Sequence, residues 1–271
     1  MPPMMKLSDC SVIKGLSRIG PAGADVSAQR AVNADLTFSS NGFPKNIPSC
    51  SVVNHPNFYF DVLYPFQDRV IQVINQADTG FYLTGGTAAS RGYLNHRFSD
   101  DLDYFVNDDN HFGLWVERMI QSLAKDWHCD VLMKEERFAR LNLVQKDVSL
   151  KIEMINDVPA HVGNIQNHPI LGKLDSAENI LANRVAALLD REEPKDLADI
   201  WGFCCQKNLS LRAAITDAQS KAAGVFPADL GRVLCSVQKA DWESIRWIQA
   251  PPAETFISQL NQLGESLLLV K

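Results

Sequence analysis

The chain has 271 residues, of which 46% are hydrophobic and 21% charged, so it can bury the core of one or two folded domains and is not a disordered polyelectrolyte. Its formal net charge of −6 argues against a protein that holds nucleic acid by overall charge, while leaving room for a local basic patch. None of the six cysteines belongs to a C-x-x-C pair, and Cys204 and Cys205 are adjacent, which points to reduced, inert thiols rather than a zinc site. No charged start runs into an apolar leader and no apolar run has membrane-spanning length, so a cytoplasmic protein without a membrane partner is expected.

Residues 1–56 are rich in Gly, Pro, Ser and Asn without periodicity and read as an irregular N-terminal arm. From Phe66 a helical stripe begins, carried by Phe66, Val70, Ile71, Val73 and Ile74. Residues 81–84 read as a buried strand. Residues 88–94 read as a short helix opening at the turn Gly85-Gly86-Thr87, and residues 101–106 as a second strand. Residues 111–127 are helical, with Phe112, Trp115, Met119, Ile120 and Leu123 turned inward. Three strands follow at 129–133, 138–144 and 148–155. Beyond Leu171 only helices are expected. Asp175 with Glu178 three residues on suggests a capping box for a helix running to Arg191. Pro194 ends that helix and seats the next, at 195–205. Further helices fall near 211–223, 227–237 and 255–269. Strands early and helices late give an α+β domain at 57–171 and a helical C-terminal domain at 172–271.

Four clusters carry chemistry. Gly85 and Gly86 permit backbone conformations closed to other residues and leave the main chain open to a ligand, and the helix start that follows suits a phosphate. Asp101 and Asp103 are spaced i, i+2 and share one face of a strand, while Leu102, Tyr104 and Val106 face the core. Two such carboxylates repel unless a cation lies between them, and hard divalent cations accept them together with substrate phosphates. On the alternating run 148–154, Ser149, Lys151 and Glu153 share a face, which makes Glu153 the candidate third acid of a two-metal clamp and a possible base. Arg184, Leu188 and Arg191 form one helical stripe, and Lys195 follows; these cations suit a triphosphate, with Asp196 and Asp199 able to pair with Arg191. Each cluster also has a plainer reading: an ordinary strand-to-helix turn, a solvated acidic strand start, a solvent-facing Lys/Glu face, and a surface salt-bridge lattice. Lys134, Arg137, Arg140, Lys146 and Lys151 would offer a basic surface to RNA, but the acids interspersed among them favour a mixed-charge face.

Together, Leu83-Thr84-Gly85-Gly86-Thr87-Ala88, the segment from His96-Arg97-Phe98-Ser99 to Asp101-Leu102-Asp103, Lys151-Ile152-Glu153, and the stretch from Glu178 through Arg184 to Arg191, Lys195, Asp196 and Asp199 resemble the AbiEii/AbiGii toxin family. That family lies within the polymerase-β-like nucleotidyltransferase superfamily. The resemblance covers residues 66–205. It implies a mixed sheet with flanking helices followed by a helical C-terminal domain, with an NTP as substrate and Mg²⁺ or Mn²⁺ as cofactor. It implies that Gly85, Gly86 and Thr87 contact phosphates, with Arg97, Ser99, Lys151, Arg184, Arg191 and Lys195 as further nucleotide contacts. Asp101, Asp103 and Glu153 would be both metal ligands and catalytic acids. Glu153 stands where an aspartate is common in the family, and Arg184 where a lysine is usual. The resemblance further implies a toxin of a toxin–antitoxin or phage-defence system, with a cognate antitoxin as partner and tRNA or another RNA as acceptor. A non-catalytic nucleotide-binding module that kept the fold, and an enzyme acting on protein or a small molecule, fit the same residues.

Overall fold

Alternation of buried and half-exposed residues along three strands organises the molecule. The structure is a computed structural model and describes residues 56–268; the N-terminal arm expected at 1–56 lies almost wholly outside the described residues. The strands are β1 (Tyr82–Thr84), β2 (Leu102–Asn107), β3 (His128–Lys134), β4 (Phe138–Gln145), β5 (Val148–Asp157), β6 (Gln166–His168) and β7 (Gly172–Leu174). They form one mixed sheet in the order β3-β4-β5-β2-β1-β7-β6. β2 runs parallel to β5 and antiparallel to β1, and β1 runs parallel to β7.

Leu102, Tyr104 and Val106 on β2, Leu141 and Leu143 on β4, and Leu150, Ile152 and Met154 on β5 are buried. They pack into one core with the apolar sides of α1 (Tyr64–Gln76) and α3 (Phe112–Leu123). On α1, Val73 is only partly buried; on α3, Val116 takes the inward place expected for Trp115 and Ile120, which are half-buried. A π-helical turn (Tyr59–Leu63) leads into α1. The element after β1, here α2, opens with Gly85–Thr87 and continues as a π-helix (Ala88–Leu94) that ends at left-handed Asn95.

The rest is helical: α4 (Ala177–Arg191), α5 (Pro194–Trp201) continuing as a π-helical turn, α6 (Leu211–Gln219), α7 (Pro227–Cys235), α8 (Lys239–Ser244) and α9 (Ala253–Leu268). Two expectations need correction. Helices do not begin directly after Leu171, because β7 adds a strand beside β1. The cap of α4 is Ser176, whose hydroxyl accepts from the Asn179 N–H. Asp175 is instead fully buried and accepts hydrogen bonds from Thr84, His161 and Asn179, so it joins the end of β1 to α4. Among the described residues no helix is long and apolar enough to cross a membrane.

Candidate active site

Strand register builds the site. Thr84 on β1 pairs with Asp103 on β2, Asp103 with Glu153 on β5, and Glu153 with Arg140 on β4. Residues paired across strands stand on the same side of a sheet, so a threonine, two acids and an arginine form one row on the side away from the α1–α3 core. Where β1 ends, Gly85 turns the chain at φ +66°. A Cβ there would lie 2.0 Å from Asp103 Oδ2, so the turn and the acid are in direct contact and no larger residue fits. Burial, and then the charge of Glu153, push the Asp103 carboxyl up to about 6.

Asp101 and Glu153 share one cation. Lys151 Nζ lies 3.0 Å from Asp101 Oδ2 and 3.2 Å from Glu153 Oε1. Burial alone would lower the lysine, but Asp101 and Glu153 together hold it above its ordinary value. Arg140 Nε donates to the same Glu153 oxygen at 2.8 Å. Thus Asp101, Asp103 and Glu153 lie on one side of the sheet, as the alternation implies. As they stand, no group of three or more His, Cys, Asp or Glu side chains among the described residues converges on a metal position.

The loop before β2 closes against the glycine turn. A Cβ on Gly86 would lie 2.9 Å from Ser99 Oγ, 3.1 Å from Arg97 Nη2 and 3.6 Å from Arg184 Nη2. Bare backbone therefore faces two guanidinium tips. Thr87 donates its hydroxyl to the Asp101 carbonyl and lies 3.0 Å from Ser99 Oγ, so both hydroxyls are engaged in fixing the loop to the helix start. Arg97 is buried and grips Asp199 with two hydrogen bonds, Nε to Oδ1 at 2.8 Å and Nη2 to Oδ2 at 2.7 Å. His96 Nε2 meets the same carboxylate at 2.9 Å. Arg184 Nη1 donates to Asp196 Oδ1 at 2.9 Å, and its Nε makes an ionic contact with Asp199 Oδ2 at 2.8 Å without hydrogen-bond geometry. Burial opposes ionisation of Asp199, yet Arg97, Arg184 and His96 hold its carboxyl far below the usual range.

Arg191 is more exposed and chelates Asp196 through Nε and Nη2, the pairing the sequence suggests. Lys195 pairs with half-buried Glu193 and lines, with Arg97 and Arg246, a cavity of about 270 Å³. Of the five cations considered as an RNA surface, Lys134, Arg137, Arg140 and Lys151 each have a carboxylate partner, as a mixed-charge face requires. Sequence reasoning missed the roles of Arg140 and Asp175, because only the register and the closed fold bring them to the row. It also missed residues 246–248. Arg97 forms an isolated β-bridge with Trp247, Phe98 N–H donates to Arg246 O at 2.8 Å, and Ile248 N–H to His96 O at 2.9 Å. A strap from the C-terminal helices thus holds the loop of His96 to Ser99.

A model of the family described as nucleotidyl transferase AbiEii toxin, type IV TA system, matches residues 72–230. No match was found among curated proteins. A crystal structure described as a "putative nucleotidyltransferase from H. pylori" is similar at 18% identity and a TM-score of 0.53, over 77% of this chain and 95% of that one. The structure of JHP933 from Helicobacter pylori is similar at 19% identity and a TM-score of 0.52, over 75% and 90%. At such identities the likeness shows the fold, a mixed sheet with helices on its flanks and after it. The family match covers more than half of the chain and all of the row, the glycine turn and the buried arginines: the protein belongs to the AbiEii toxin family of nucleotidyltransferases.

Proposed function

We propose that the protein transfers the nucleoside monophosphate of an NTP to an acceptor hydroxyl, with pyrophosphate as the leaving group, in a reaction that depends on Mg²⁺ or Mn²⁺. The observation that supports this best is the row of Asp103 and Glu153 directly beneath a positive-φ glycine turn, with Arg97 and Arg184 at its edge. Carboxylate oxygens suit a hard divalent cation, and such a cation would offset both the burial of the Asp103 carboxylate and its repulsion by Glu153, which together raise it. Asp101, Asp103 and Glu153 would hold it, and when bound it offsets charge on the transferring phosphoryl group.

The chain's own groups supply the rest. Backbone N–H groups of the Gly85–Gly86 turn offer donors to phosphate oxygens without a side chain in the way. The Nη2 atoms of Arg97 and Arg184 sit beside that turn already oriented by buried carboxylates, so little reorganisation is needed when charge builds up on the phosphates. Asp103 stands beside the turn, where an acceptor hydroxyl in line with the phosphate would lose its proton. In the cell we read the protein as a cytoplasmic toxin held in check by an antitoxin, with tRNA or another RNA as acceptor. The test is incubation with labelled NTPs, Mg²⁺ and separate pools of total RNA and protein. Label transfer by the wild type, lost in the Asp101→Ala/Asp103→Ala variant, is expected, and mass spectrometry of the labelled species identifies the acceptor. Absence of transfer to any acceptor by the wild type, with NTP binding retained in calorimetry, would leave a binding module instead.

A further inference from the structure

The two cations on Glu153 are held differently. Arg140 stands opposite Glu153 in the β4–β5 register, and its guanidinium lies over the Phe138 ring, 5.2 Å from the centroid. Strand pairing and the ring fix it. Lys151 precedes Glu153 by two residues on β5 and reaches up between Asp101 and Glu153 on a flexible four-carbon stem, with 39% of its side chain exposed. An ammonium is a compact, mobile point charge, whereas a guanidinium is a planar fork. One positive charge within 3.2 Å of two carboxylates neutralises both in part. It also fills the space where an ion bridging the same two oxygens would sit, because Mg²⁺ needs its ligands at about 2.1 Å.

We propose that the Lys151 ammonium is the resting counter-ion of the acidic row and that a divalent cation engages Asp101 and Glu153 only by displacing it. This rests on the reading of the acids as metal ligands and adds a competition to it. Metal affinity is then set by the lysine as well as by the carboxylates. Once displaced, the ammonium remains tethered to β5 beside the acids, available to an arriving polyanion. The acidic row is thus never left without a positive charge, with or without metal.

The experiment is a Mn²⁺ titration of the full chain, without nucleotide, followed by electron paramagnetic resonance. Lys151→Met and Lys151→Gln should bind Mn²⁺ about fivefold more tightly than the wild type, the scale of one partly exposed ion pair lost. Lys151→Arg keeps the charge and should stay near the wild type. Thermal unfolding verifies that each variant is folded, and the two neutral variants stand in for each other. Equal or weaker Mn²⁺ binding by the neutral variants, or binding by Lys151→Arg as tight as theirs, overturns the proposal. Label transfer by the wild type is measured in parallel. Transfer with unchanged Mn²⁺ affinity in the variants removes only the competition; neither transfer nor Mn²⁺ binding by the wild type removes the metal-dependent reading with it.

Discussion

Asp103 is where the demands of the proposed reaction and of folding oppose each other. Its carboxyl is raised to about 6 by burial and by Glu153, so the folded state holds this proton more tightly than the unfolded chain does. Its contribution to stability is therefore full below the unfolded value near 3.9 and is lost as pH rises through 6. At pH 7.5 the ionised group is a net cost of about 3 kcal/mol. Asp103→Asn should raise the melting temperature at pH 7.5 by a few degrees while label transfer falls by about 100-fold or more. Parallel melting and transfer measurements check both. His96 works in the other direction. Burial lowers it despite Asp199, with Arg97 and Arg184 adding to the effect, and its Nδ1 is buried without a hydrogen-bond partner. The unfolded chain takes up this proton below about pH 6.5 and the folded one resists it, so stability falls as pH drops through that range. The slope from this group is at most about 1.4 kcal/mol per pH unit. Between pH 7.5 and 5.5 the urea midpoint of the wild type should fall relative to that of His96→Gln, in which only the opposing gain from Asp103 remains.

At the level of elements, α5 acts as a clip. Asp196 and Asp199 are both fully buried, and between them they pair with Arg97 from the loop before β2 and with Arg184 and Arg191 from α4. Removing one partner of such a set leaves a charge buried and unpaired, at a cost of about 3–5 kcal/mol. Asp199→Asn should lower the melting temperature by several degrees, read by calorimetry, and should cost transfer activity beyond the loss of folded protein, because Arg97 loses its anchor. The Arg191–Asp196 pair was legible from the spacing on either side of Pro194. The Arg97–Asp199 pair was not, since 102 residues separate them and no periodicity links a loop to a distant helix. The same limit explains β6 and β7: strands of three residues carry no alternation to read. Asp175 and Ser176 are both good capping residues, and burial of Asp175 against Thr84 and Asn179 decided between them. The long strands β2, β4 and β5 and the helices α1, α3 and α4 were readable because one face of each is buried throughout.

Across the whole molecule, residues outside the matched family region complete the site. The strap of Arg246, Trp247 and Ile248 is held by rings: Trp247 lies within 6.4 Å of Trp201, Trp242 and Phe256, centroid to centroid. Phe256 and Leu260 on α9 are fully buried, and α9 packs closely on α7. A Cβ on Gly264 would lie 2.7 Å from the Gly231 carbonyl oxygen and 2.7 Å from Cys235 Sγ. Gly264→Val should therefore push α9 off α7, destabilise the fold by about 1–3 kcal/mol and slow transfer through the strap, as thermal unfolding and label transfer on the same preparation will show. Helices beyond residue 205 were legible as helices, but nothing in their pattern marked a short extended piece between two of them as the clasp of a distant loop.

That clasp also orders events during synthesis. A ribosome that has released only the first 240 residues has made the glycine turn, the acidic row and the arginines, yet nothing to pair with the backbone of His96 and Phe98. A chain cut before the strap would accordingly leave the loop of His96 to Ser99 unclasped, and that loop would be fixed only once residues 246–248 have been made and docked.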